Sequence, residues 1–232
     1  RRINLNIIDI RDYNKLKKFI YKVKPNIIFH LAAQPLVIDS YIKPIDTFNI
    51  NVNGTINILE IIRSCNFVKS FIGVTSDKCY ENMGKSKGYS EKDKLGGSDP
   101  YSASKAATEL VINSYYKSFF VSKKNCGISS VRAGNVIGGG DWSRNRLIPD
   151  CVRSLLNKKE IFLRNPNYTR PWQHVLEPLK GYLILAKKQF DDPRKFSGAW
   201  NFGSNSNSIK SVKKITEMII EFWGEGKIRS KK

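Results

Sequence analysis

Nowhere in the 232 residues does an apolar run approach the length of a membrane span, so a helical membrane protein is excluded and no membrane partner is expected. Cysteine is scarce. Cys65, Cys79, Cys126 and Cys151 lie far apart and form no C-x-x-C pair, which argues against a zinc site, or any bound metal, and against a disulfide scaffold. A reducing, cytoplasmic compartment is the simplest expectation. Histidine is confined to His30, inside an apolar run, and His174. The chain opens Arg1-Arg2-Ile3-Asn4, with no start methionine and no signal-peptide pattern. Acidic residues are also few: 20 against 40 basic ones, a net charge of +20.

That surplus fits either a polyanionic partner or a compositional bias. The lysines are scattered, and Lys, Asn and Ile all have AT-rich codons. No aromatic-basic nucleic-acid motif accompanies them, so composition is the preferred reading and no nucleic acid is expected. A basic surface also suits an acidic sugar nucleotide. Hydrophobic residues reach 41%, enough for a sizeable core.

The pattern alternates strand and helix. Leu5–Ile10 reads as a buried strand, and Tyr13–Val23 as a helix closed by Pro25. Asn26–Ala33, Ser70–Thr75 and Gly127–Ala133 read as further strands. Pro44–Ser64 and Pro100–Phe120 read as long helices, the second with Asp99 as N-cap and Pro100 at its first position. Ser76–Ser98 reads as a loop. Near-continuous apolar strands joined by helices imply an α/β fold, a doubly wound parallel sheet of Rossmann type. After Gly134 the pattern loosens. Gly138–Gly140 reads as a loop, Leu147–Leu156 and Ile209–Trp223 as helices, Ala199–Phe202 as a short strand and Gly224–Lys232 as a polar, basic tail. Residues 1–134 are therefore expected to form a nucleotide-binding domain, with 135–232 mostly a smaller substrate-binding portion interleaved with it. The glycine-rich turn that opens such a fold is missing, because Gly138-Gly139-Gly140 comes too late. The fold is expected to lack a βαβ unit of at least roughly 30 residues at its N-terminus.

Two segments carry chemistry. In Tyr101-Ser102-Ala103-Ser104-Lys105, Tyr and Lys four apart at a helix start share one face. The Lys105 ammonium would favour the Tyr101 phenolate, which could then take a proton from a sugar hydroxyl near neutral pH. On spacing alone a solvated pair is the commoner reading. Its place after a strand, a polar loop and Asp99-Pro100 favours the catalytic reading. Thr75-Ser76-Asp77-Lys78 lies at the carboxyl end of a parallel strand, where open α/β sheets place their sites, and lines up a hydroxyl, an acid and an amine. A plain polar turn has the same composition.

Together these segments resemble the extended short-chain dehydrogenase/reductase family. Ser76-Asp77-Lys78 is similar to the branch of its sugar-nucleotide 4,6-dehydratases that acts on CDP-glucose, whereas the dTDP-glucose branch carries Thr-Asp-Glu and the epimerases lack the acid-base pair. Phe29-His30-Leu31-Ala32-Ala33-Gln34, the run from Arg132 to Trp142 and Arg170-Pro171-Trp172-Gln173-His174-Val175 resemble the same branch. The resemblance implies an NAD-dependent hydro-lyase of deoxysugar biosynthesis that pairs as a homodimer through the two long helices. In it Tyr101, Lys105, Ser76, Asp77 and Lys78 are catalytic, with Tyr101 as the base at O4, Asp77 as the acid for the leaving 6-hydroxyl and Lys78 as either the base at C5 or a positioning group. NAD contacts are implied for Asp9, Ile10, Leu31, Ala32, Ala33, Gln34, Asn51, Thr75, Tyr101, Lys105 and Val136. Substrate contacts are implied for Ser76, Asn135, Arg146, Leu147, Ile148, Pro149, Arg170 and Asn201. A dTDP-glucose dehydratase, a sibling epimerase and a non-catalytic basic binding protein are the rival readings.

Overall fold

The computed structural model describes residues 3–85, 88–122, 125–204 and 208–230. Ser86 and Lys87 of the expected loop, and Lys231 and Lys232 of the expected tail, lie outside them. The chain divides into two units, one of Arg1–Ala133 with Lys180–Asn201, the other of Gly134–Leu179 with Phe202–Lys232.

The first unit is built on a four-stranded sheet of order β1-β2-β3-β7, with β1 Ile27–His30, β2 Ser70–Val74, β3 Gly127–Ala133 and β7 Gly198–Phe202. β1 pairs parallel with β2, and β2 parallel with β3, in register Ile27–Ser70 and Ser70–Gly127. Parallel neighbours require crossovers, and helices supply them. They are α2 Val37–Ile42, α3 Pro44–Phe48 and α4 Gly54–Arg63 between β1 and β2, and α5 Pro100–Tyr115 between β2 and β3, while α1 Tyr13–Val23 precedes β1. Asp12 caps α1 by accepting from Lys15 N at 3.0 Å, and Lys24 closes it in the left-handed region at φ 49°. Asp99 caps α5, accepting from Ser102 N at 3.0 Å and Ser102 Oγ at 2.6 Å, with Pro100 in the first turn. Phe71, Leu59, Ile62, Ile72 and Ile128 are fully buried, giving the apolar core that parallel strands covered on their faces produce.

One expected strand does not form. Leu5–Ile10 runs as irregular chain with no ladder partner among the described residues, and Leu5 and Ile7 are 80% and 94% exposed. Apolarity alone cannot hold a strand that nothing pairs. Only Ile10 is buried, against Gly54, where an added Cβ would stand 2.8 Å from Ile10 Cγ2. The strand expected at Ala199–Phe202 forms, but as β7 in the main sheet beside β3 rather than in the smaller portion. α7 Leu176–Asp191 was not expected. From it Gln189, fully buried, accepts from Ser70 Oγ and donates to Ser129 Oγ, both at 2.6 Å, tying the helix to the amino ends of β2 and β3.

The second unit holds α6 Leu147–Leu156, α8 Val212–Trp223, a three-stranded sheet and a strand pair. In the sheet, β4 Asn135–Ile137 lies parallel to β6 Thr169–His174, which lies antiparallel to β8 Ile209–Ser211. β5 Ile161–Leu163 pairs parallel with β9 Ile228–Ser230. The helix expected over Ile209–Trp223 therefore begins three residues late, because Ser211 N-caps it by accepting from Lys214 N at 3.1 Å. Cys151, Leu155, Ile161 and Leu163 form this unit's own core. Among the described residues no helix is long and apolar enough to cross a membrane.

Candidate active site

β2 ends at Val74, and the chain then turns through Thr75, Ser76 and a short 3₁₀ segment, Asp77–Cys79. Ser76 organises this turn. Its Oγ accepts from Lys78 N at 3.2 Å and donates to Asp77 Oδ1 at 3.0 Å. The turn packs on α5 through a small cluster of Cys79, Tyr80 and Ala106. Gly97 permits the close start of α5, since a Cβ there would lie 2.5 Å from Ala103 N. Ser40 Oγ also accepts from Tyr101 N at 3.1 Å, tying α2 to the first turn of α5.

Lys105 stands one turn beyond Tyr101 on α5, and its Nζ donates to Val74 O at 3.2 Å. This contact joins the helix pair to the end of β2, directly before Thr75 and Ser76. Lys105 is 5% exposed, and burial lowers its ammonium to a pKa of about 8, against the opposing pull of Glu109. Burial, and secondarily Lys105, lowers His30 to about 4. His30 Nε2 lies 2.9 Å from Thr55 Oγ1, and that hydroxyl gives its one proton to Asn51 O at 2.7 Å. Nε2 of His30 must therefore carry the hydrogen.

Asn51 lies in a π-helical turn, Asn49–Asn53, between α3 and α4. Its side chain accepts from Gln34 N at 2.8 Å and donates to Gln34 O at 3.2 Å and Ser104 Oγ at 2.9 Å. It thus fixes the segment Leu31–Gln34, at the carboxyl end of β1, beside α5. Gln34 itself donates to Thr47 Oγ1 at 2.8 Å. Of the other residues expected near a cofactor, Ile10 is a core side chain. The Asp9 carboxylate is held by Arg11, whose side chain donates to it at 2.7 Å and keeps its pKa down at about 2. Val136 lies on β4 of the second unit, opposite Gln173.

The residues expected at the substrate separate in the same way. Asn135 opposes Trp172 across β4 and β6. Arg146 is the N-cap residue of α6 and is paired with Asp141 at 2.9 Å, followed in that helix by Leu147, Ile148 and buried Pro149. Arg170 stacks over the Tyr168 ring at 5.8 Å. All of these belong to the second unit. Asn201 instead belongs to the first, and both ends of its amide are bonded there. Its Oδ1 accepts from Tyr80 Oη at 2.7 Å, and its Nδ2 donates to Tyr89 O at 3.0 Å.

Sequence reasoning missed a buried ion pair beneath the turn. Arg132, on β3, meets Glu109, on α5, at 2.6 Å, with the two side chains 4% and 3% exposed. The signal was present: Glu109 continues the four-residue spacing of Tyr101 and Lys105, and Arg132 is a charge inside a strand expected to be buried.

A parallel α/β sheet with a Tyr-x-x-x-Lys helix packed on a Ser-Asp-Lys turn is the framework of a short-chain dehydrogenase/reductase. The model of the GDP-mannose 4,6 dehydratase family matches residues 1–220, and the chain belongs to that family, within the extended short-chain dehydrogenases/reductases. It is 47% identical over 224 residues to the CDP-glucose 4,6-dehydratase of Salmonella typhimurium, an alignment covering 95% of this chain and 62% of that protein. It is 28% identical to a dTDP-D-glucose 4,6-dehydratase of Dictyostelium discoideum, covering 91% of this chain and 49% of that one. The fold is similar to that of the dTDP-glucose 4,6-dehydratase from Streptomyces venezuelae solved with NAD and TYD bound, with a TM-score of 0.82, 22% identity, and coverage of 97% of this chain and 65% of the other. The chain spans less than two thirds of the length of each of these relatives.

Proposed function

We propose that the full-length protein is an NAD-dependent 4,6-dehydratase that converts CDP-glucose to CDP-4-keto-6-deoxyglucose and water. The observation that carries this reading is the Ser76-Asp77-Lys78 turn packed on the helix that bears Tyr101 and Lys105, joined to it by the Lys105–Val74 contact. The same order of Ser, Asp and Lys, together with the 47% identity to a CDP-glucose enzyme, supports CDP-glucose over its dTDP counterpart.

The nicotinamide-ribose end of NAD fits the residues present. An ammonium has three donors, and Lys105 uses one on Val74 O among the described residues, so others remain for ribose hydroxyls. The small side chains of Ala32 and Ala33 leave the chain at the carboxyl end of β1 open to close approach. NAD+, when bound, supplies the hydride acceptor for sugar C4 and the hydride source for C6.

Tyr101 takes the 4-hydroxyl proton, and its partner Lys105 favours the phenolate by charge proximity. Ser76 Oγ holds the C4 oxygen once its one proton turns from Asp77 to the sugar. The C4 ketone acidifies the C5 proton, which the Lys78 amine removes. Asp77 protonates the 6-hydroxyl, which departs as water, and Lys78 returns a proton to C5. On the second unit, the Arg146 and Arg170 guanidinium groups suit a diphosphate, with Asn135 and Leu147–Pro149 beside the nucleotide.

The deciding experiment is a product assay on the full-length protein with CDP-, dTDP-, UDP- and GDP-glucose. A 4-keto-6-deoxy product formed fastest from CDP-glucose is expected. A C4 epimer, or preference for dTDP-glucose, would sink the reading. Exposed Ile45, Phe48 and Leu110, on α3 and α5, support pairing of two copies through these helices. Sedimentation of the full-length protein should give a homodimer, and Ile45→Glu with Leu110→Glu should give monomers. Wild-type protein sedimenting as a monomer would remove this part.

A further inference from the structure

We infer that the buried Glu109–Arg132 pair is a positioning device that sets the Ser76-Asp77-Lys78 turn relative to Tyr101 and Lys105, an inference that rests on the dehydratase reading for its catalytic consequence. Glu109 lies one turn beyond Lys105 and two beyond Tyr101 on α5, so its carboxylate belongs to the same rigid body as the oxidation groups. That carboxylate reaches both ends of the turn. At the first end, Thr75 Oγ1 donates directly to Glu109 Oε1, and Thr75 N donates to Val131 O at 2.9 Å. At the other end the link runs through Arg132. Its Nη2 donates to Glu109 Oε2 at 2.6 Å, and its Nη1 donates to Tyr80 Oη at 2.7 Å. The guanidinium also lies over the Tyr80 ring, 4.9 Å from its centroid.

Ser76, Asp77 and Lys78 thus sit on a short span whose two flanks, Thr75 and Tyr80, are tied to one carboxylate. Further bonds stiffen the frame. Ser130 Oγ donates to Glu109 Oε2 at 2.6 Å. Tyr80 donates to Asn201, whose backbone N–H donates to Glu91 Oε1 at 2.7 Å. The stacked rings of Tyr80 and Tyr89, 5.1 Å apart, cover this end. Arg132 Nε nevertheless has no hydrogen-bond partner among the described residues. A pair kept for stability alone has little reason to bury a guanidinium with a donor unmet, since apolar residues of similar volume fill such a site at least as well. Placement of the turn is the gain that requires charge here. Acid, base and O4 groups must meet one sugar, and a displacement of about 1 Å costs on the order of 10²-fold in rate.

The test uses the full-length protein. Removing one partner strands a buried charge and unfolds the site, so both are replaced: Glu109→Leu with Arg132→Met. The double variant should fold with a near-wild-type melting temperature. Its kcat on CDP-glucose should fall about 10²-fold with KM little changed. Reduced cofactor should build up, because the turn is displaced while Tyr101 and Lys105 stay on their helix. Independently of substrate, hydrogen exchange at the amides of Thr75–Tyr80 should quicken, while those of Phe71 and Ile72 stay protected. Tyr80→Phe, which keeps the ring but removes the hydroxyl that accepts from Arg132 and donates to Asn201, should show a smaller loss and faster exchange at the same amides, and it decides the matter if the double variant does not fold. Wild-type kcat and unchanged exchange at Thr75–Tyr80 in a folded variant would overturn the inference. Failure of the wild type to dehydrate CDP-glucose would instead remove the functional reading and leave the exchange result standing.

Discussion

Asp77→Asn in the full-length protein is expected to halt the reaction after oxidation. The amide cannot protonate the leaving 6-hydroxyl, so dehydration should fall by about 10²–10⁴-fold. Removal of the 4-hydroxyl proton by Tyr101 is untouched, so nicotinamide absorbance of the reduced form should accumulate on the enzyme once CDP-glucose is added. Because Ser76 Oγ donates to Asp77 Oδ1 at 3.0 Å, and the amide oxygen can still accept there, the turn should keep its shape. Tyr101→Phe gives the contrast: neither product nor reduced cofactor. Lys78→Ala should resemble Asp77→Asn and also slow exchange of the C5 proton with solvent. Normal C5 exchange with slow elimination would make Lys78 a positioning residue. Unimpaired dehydration by both the Asp77 and Lys78 variants would remove the dehydratase assignment.

Lys105→Met is expected to make the full-length protein inactive and more stable. Burial lowers the Lys105 pKa from 10.5 to about 8, so the folded state holds this proton less tightly than the unfolded chain does. Between those values the unfolded state binds more protons, and stability rises with pH across that window. Below about pH 8 the buried ammonium therefore costs the fold roughly 3 kcal/mol, the free-energy equivalent of that shift. Methionine removes this cost but gives up the charged hydrogen bond to Val74 O, worth about 2 kcal/mol. A net gain of about 1 kcal/mol should raise Tm by roughly 2–4 °C at pH 7. The gap between variant and wild type should close as pH rises through the window from about 8 to 10.5. A gap that stays constant from pH 7 to above 10.5 would show that the charge is not its cause.

The legible part of this molecule was the part in which local pattern and tertiary fate coincide. β2 and β3 are buried along nearly their whole length, and their Phe71, Ile72, Ile128 and Val131 could be read directly as core positions. Leu5–Ile10 has the same appearance, yet Leu5 and Ile7 face solvent, because composition does not report whether a neighbouring strand exists. α7 was hidden by Pro178 and Gly181, although a proline in the first turn lacks only a hydrogen that would have had no partner within the helix. β6 was hidden by its polar sequence, Thr169–His174.

The site divides similarly. Tyr101 and Lys105 could be read because four-residue spacing puts them on one helix face. Glu109 and Arg132 lie 23 positions apart in sequence, and only the packing of α5 on β3 joins them. Asn201 was singled out by a motif match, and only the fold shows that its amide also bonds to Tyr80 and Tyr89.

The π-helical turn Asn49–Asn53 has a consequence for the long helix expected over Pro44–Ser64. One residue added to a single turn rotates everything downstream by about 100° relative to an uninterrupted helix. The segments on either side are therefore out of phase. α3 can show Ile45 and Phe48 to the outside while α4 turns Ile58, Leu59, Ile61 and Ile62 inward. A straight helix would have to serve both on one continuous stripe. The phase slip lets a single stretch of chain answer to two surfaces without a proline or a break, and it leaves the Asn51 carbonyl to accept hydroxyl hydrogens from Thr55 and Thr108 at the point where the faces change over.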